Sequence, residues 1–62
     1  MWIVYTETEG GRWYWGSWGD FAKASKVAEE LQQSDGIVRG VCRAEDALLY
    51  NVQNLPAWME GR

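Results

Sequence analysis

Residues 11–36 read GRWYWGSWGDFAKASKVAEELQQSDG, and a change of period inside them decides the fold. From Arg12 to Trp18 the run is aromatic and short-period, as a strand is, and Gly16 within it marks a bulge or a close backbone approach. After Gly19-Asp20 the spacing becomes three and four: Phe21, Ala24, Val27, Ala28 and Leu31 fall on one helical face. Asp20 can cap the first turn, and Gly36 stands where a left-handed residue would end the helix. Lys23, Lys26, Glu29, Glu30 and Gln33 take the opposite side, so the apolar stripe is expected to face a sheet.

Outward from this stretch, WIVYTET (residues 2–8) reads as a strand that turns through Gly10-Gly11 into the aromatic strand, forming a hairpin. On the other side, IVRGVCRA (residues 37–44) reads as a third strand. It alternates Val38, Gly40, Cys42 and Ala44 on one face with Ile37, Arg39, Val41 and Arg43 on the other. The small face is expected beneath the helix. Past the polar Glu45-Asp46 turn, ALLYNV (residues 47–52) reads as a last strand, hairpinned to the third. The expected fold class is α+β, a four-stranded, mostly antiparallel sheet with one helix packed on one face, in ββαββ order. Residues 1–53 make up this single domain. Residues 54–62 form a C-terminal tail that packs on the domain or makes a short contact segment, and Pro56 fits only the first turn of any helix there.

Sixty-two residues, 47% hydrophobic and 15% aromatic, suit one small globular domain with a marginal core, for which large rings or association must compensate. The chain has no histidine and one cysteine, Cys42, which excludes an internal disulfide, a zinc cluster and an imidazole base. Cys42 reads as a small buried hydrophobe. Gly10-Gly11 joins two strands and is no phosphate loop. Neither a cofactor, a metal nor catalysis is expected. Nine acidic against six basic residues give a formal charge of −3, which disfavours a nucleic-acid partner. With no apolar run long enough for a membrane span and no signal-peptide pattern, a cytoplasmic location is expected.

One helix covers one sheet face, yet rings point both ways: Trp13 and Trp15 to one side, Tyr14 and Trp18 to the other. The open face is therefore expected to keep aromatics, with Arg39 and Arg43 beside them, and these residue types dominate binding hot spots. Trp13, Tyr14, Trp15, Arg39 and Arg43 form one candidate contact surface. Glu29, Glu30 and Asp35 form an acidic helix end for a partner to read, and Glu7 and Glu9 before the first turn, with Glu45 and Asp46 in another, are acidic positions able to imitate a phosphate backbone. The reading is a non-catalytic protein-binding module, an inhibitor or adaptor of the kind a phage or mobile element uses to block a host nucleic-acid-handling protein. Its alternatives are a sheet face that stacks glycan or single-stranded nucleic acid, and a structural protein that associates with itself as a homodimer.

The run Gly16-Ser17-Trp18, then Ala24, Ala28 and Leu31, then a glycine-led strand from Gly36 and a last strand with Tyr50, resembles part of a SPOR domain. That resemblance implies a sheet face that holds peptidoglycan glycan. The second helical repeat of such domains is missing from this chain.

Overall fold

The computed structural model describes residues 1–60. Strands β1 (Trp2–Thr8) and β2 (Gly11–Trp18) form the expected hairpin. Gly11 takes the left-handed φ of 125° that its turn demands. The Thr8 hydroxyl donates to the Gly11 carbonyl and accepts from the Gly10 N–H. Helix α1 (Phe21–Asp35) begins and ends as its sequence signals predict. Asp20 accepts from the Ala22 N–H at 3.0 Å. Gly36, at φ 74°, donates its N–H to the Gln32 carbonyl at 2.8 Å.

Strand β3 (Arg39–Arg43) returns antiparallel to β1, and a 3-10 turn (Ala44–Asp46) follows. The sheet order is β3-β1-β2-β4, which makes the fold an α+β one with a four-stranded mixed sheet and one main helix. The last strand differs from expectation. Residues 47–51 form turns, with Asn51 left-handed, and only Val52–Gln53 is strand, β4. It pairs parallel with β2 at the far edge and makes no hairpin with β3. Asn54, also left-handed, ends it. The chain therefore crosses from one edge of the sheet to the other before a short helix α2 (Ala57–Glu60) that opens directly after Pro56. Residues 61 and 62 of the tail lie outside the described residues.

Two apolar layers flank the sheet. On the helix side Val4, Ala24 and Ala28 are buried, with Trp2, Trp18 and Val41 against them. On the other side Ile3, Tyr5, Cys42, Ala47 and Val52 are buried beneath Tyr14, Ala44, Leu55 and Met59. The second layer overturns the expected placement of Cys42 and shows the tail residues Leu55 and Met59 packing on the domain. Cys42 belongs to the face opposite the helix, because the small residues of β3 leave room there for Tyr5, whose ring occupies the space a Gly40 side chain would need. That face is also closed: the segment after β3 lies across it. Arg39 and Arg43 consequently stand on the helix side with Val41.

The segment crossing the sheet is pinned by Arg12. Its guanidinium pairs with Glu7, donates from Nη1 to the Tyr50 carbonyl at 3.0 Å and lies 5.6 and 5.9 Å from the Tyr5 and Tyr50 ring centres. One side chain thus joins the hairpin, the buried tyrosine and the approach to β4.

Candidate functional site

The register of β1 on β2 shifts by one residue at Val4/Tyr5, so that Val4 faces Gly16, Tyr5 faces Tyr14 and Trp15 is the extra residue of a bulge. Gly16 flags this position in the sequence, but the effect on faces is larger than the signal. An extra residue resets the alternation, and Trp15 and Trp18, three apart, come to the same side with rings parallel to within 8° and centres 6.0 Å apart. Gly16 is small because the Trp18 ring lies over it, where a Cβ would meet Trp18 at 2.9 Å.

Trp13 keeps the helix side as well, its indole N–H donating to Thr8 Oγ1 at 3.2 Å. Phe21 at the start of α1 meets Trp2 edge-on, ring centres 4.7 Å apart. The helix packs chiefly on β3 and β1, and its flank over β2 is left uncovered. Along that flank Trp13, Trp15 and Phe21 are 40%, 47% and 51% exposed, while Trp18 and Trp2 beneath them are half-buried. Phe21, expected in the core, belongs to this row, because the first turn of a helix can overhang the sheet it packs on.

The other expected contact residues are dispersed. Tyr14 points to the closed face, with its hydroxyl donating to Ser17 Oγ at 3.2 Å. Arg39 grips Asp35 through two parallel bonds of 2.8 and 2.7 Å. Arg43 lies over the Trp2 ring, 5.3 Å from its centre. Glu29 lines a groove between α1 and β3, and Glu30 is exposed on the same helix. Glu45 lines a different groove, of about 570 Å³, with Met1, Leu55, Trp58 and Met59, and Asp46 is half-buried in the 3-10 turn. Leu48 also lines that groove, and it and Leu49 project at 78% and 79% exposure. The acidic residues therefore do not share one groove, and sequence spacing had no means to place them.

Two titrating groups have consequences in solution. The Arg39 guanidinium, helped by the Ile37 N–H, draws the Asp35 carboxyl down from 3.8 to about 2. The folded value lies below the unfolded one, so the stability this pair contributes is full above pH 3.8 and is lost as the pH falls through about 2. Acid unfolding followed by tryptophan fluorescence should show this loss in that window, and Asp35→Asn should remove it. Burial, aided by the nearby Asp46, pushes the Cys42 thiol up from 9.0 to about 11. Iodoacetamide at pH 8 should therefore alkylate Cys42 at least about a hundredfold more slowly in the folded protein than in urea, since thiolate is the reacting form.

Among the described residues there is no cluster of three or more side chains able to hold a metal ion, and no helix is long and apolar enough to cross a membrane. The fold and its aromatic row define a small α+β domain with an uncovered ring-lined flank. No family model, curated protein or solved structure matches the chain.

Proposed function

We propose that this chain is a non-catalytic protein-binding module, an inhibitor or adaptor acting in the cytoplasm, and that its contact surface is the row Trp13, Trp15 and Phe21. One observation carries this reading: three large rings stay about half exposed in a chain short enough to need every apolar contact it can make. Trp15 stacks on Trp18, Phe21 meets Trp2 edge-on and the Trp13 indole bonds Thr8, contacts that hold the three rings and lower the ordering cost of binding. Charge supports a protein over a nucleic acid. Arg39 is committed to Asp35, Arg43 faces the Trp2 ring, and the chain carries a net −3. Acid excess and small size suit an inhibitor of a nucleic-acid-handling protein, of phage or mobile-element type.

The test compares wild type with Trp13→Ser/Trp15→Ser. Both rings are nearly half exposed but Trp13 bonds Thr8 and Trp15 stacks on Trp18, so the urea midpoint should fall while the variant stays folded by circular dichroism, and acrylamide quenching of fluorescence should fall. Immobilised wild-type protein should retain a defined partner from cell extract that the double variant loses at least about tenfold, as hot-spot aromatics do. Equal retention by both proteins refutes the proposal. Salt-sensitive binding of oligothymidylate by the wild type alone would transfer the row to base stacking.

A further inference from the structure

Two backbone hydrogen bonds reveal what the outer edge of β3 offers. The Glu7 N–H donates to the Val38 carbonyl at 2.8 Å, and the Ala44 N–H donates to the Met1 carbonyl at 3.0 Å. Both fit the register that sets Tyr5 opposite Gly40 and Ile3 opposite Cys42. In an antiparallel ladder, residues bonded to the neighbour alternate with residues whose N–H and C=O point away. Val38, Gly40, Cys42 and Ala44 therefore bond to β1, and Arg39, Val41 and Arg43 turn their backbone groups outward. β3 ends the sheet, so no strand among the described residues receives them.

The first of these groups already has a substitute partner. The Arg39 N–H donates to the Gln32 side-chain oxygen at 3.2 Å, so an amide oxygen sits where the carbonyl of an adjoining strand would. The N–H groups of Val41 and Arg43 have no such acceptor among the described residues. Beside them runs the groove between α1 and β3, about 410 Å³, lined by Ser25, Ala28, Glu29 and Gln32 on the helix and by Arg39 and Val41 on the strand. The Arg39 side chain is 5% exposed, and its Nε is buried without an acceptor. A donor left unpaired in this way is costly, and a ligand that brings an acceptor to it is favoured.

Edge strands are usually guarded by projecting charge, proline or a bulge. β3 has no proline and its register on β1 is unbroken. Its two arginines are drawn off the edge, one onto Asp35 and the other over Trp2. We propose that this edge, with its groove, takes an extended peptide segment of a partner protein as a fifth strand, through backbone hydrogen bonds to Val41 and Arg43. A second copy of the chain is disfavoured. Two β3 strands paired antiparallel about Val41 would set Arg43 of each against an Arg39 already held by Asp35, so a second copy brings Arg43 no free carboxylate. Arg43, which has no carboxylate partner among the described residues, selects a partner segment with an acidic residue facing it. This site is separate from the aromatic row and stands without it.

The probe is a random octapeptide library displayed on phage and panned against the full chain held by its C terminus. Enriched peptides, synthesised and added to ¹⁵N-labelled protein, should move the Val41 and Arg43 amide signals and slow their hydrogen exchange at least about tenfold, leaving the Trp13 and Trp15 indole signals in place. A synthetic chain with N-methylated Val41 keeps the side chain and the β1 ladder but lacks the outward donor, and should bind the same peptides about tenfold more weakly. Failure to enrich any sequence, unchanged Val41 exchange with bound peptide, or equal binding by the N-methyl chain would each overturn the proposal.

Discussion

Replacing Ile3 with alanine is expected to leave much of the protein unfolded at 25 °C. Ile3 is, among the described residues, one of two large side chains that are fully buried, and it sits between the sheet and the segment that crosses its second face. Truncating a buried isoleucine costs about 2–5 kcal/mol, because a cavity remains where the methyls were. A single core in a chain of this size supplies only about 3–5 kcal/mol in total. Ile3→Val removes one carbon and should cost about 1 kcal/mol, leaving a folded protein with a lower urea midpoint. Circular dichroism with urea titration distinguishes the two variants. A near-wild-type midpoint for Ile3→Ala would mean that the second layer contributes little.

Gly40→Ala is the other substitution with a large expected effect. Its Cβ would overlap the Tyr5 ring and hydroxyl, and Tyr5 is itself buried, with the Arg12 guanidinium over its outer side. Neither β1 nor β3 can retreat without breaking their ladder, so the ring must move. Overpacking of this kind costs about 1–3 kcal/mol. Displacing Tyr5 also loosens Arg12 and Tyr50, so the exposed Leu48-Leu49 turn should become a preferred cleavage site for limited proteolysis. Adding Tyr5→Leu to Gly40→Ala should recover part of the loss, giving a double-mutant cycle with clear non-additivity. Strict additivity would show that the two positions do not press on one another.

Where a local signal was complete, the structure follows it. Asp20, Gly36 and the three-four spacing between them describe α1 to within a residue at each end, and Gly10-Gly11 describes the hairpin. The misreadings come from non-local choices. ALLYNV alternates well enough for a strand, but Asn51 accepts a left-handed turn, and nothing in those residues states which edge of the sheet will receive Val52. Face assignment fails for a related reason. Period-two reasoning carries across β2 only until the bulge at Trp15, after which Trp18 changes sides to join Trp13 and Trp15, and the excess aromatics that sequence placed on a face opposite the helix stand beside it instead. Arg12 carries no signal in the sequence because its partners, Glu7, Tyr5 and Tyr50, are gathered only once the segment after β3 has crossed the sheet.

That crossing also orders events in time. The hairpin and the helix are built from neighbours in sequence, whereas the bond from Arg12 to the Tyr50 carbonyl closes a span of 38 residues. Loop closure over such a span is entropically slow, and the contacts that reward it arrive together, after the hairpin, helix and β3 have met. The transition state for folding is therefore expected to hold β1, β2 and α1 with high φ-values while Val52 and Leu55 remain near zero. A chain caught before that last step carries a bare sheet face of Ile3, Tyr5 and Cys42, and this transient species, more than the native protein, sets its tendency to aggregate.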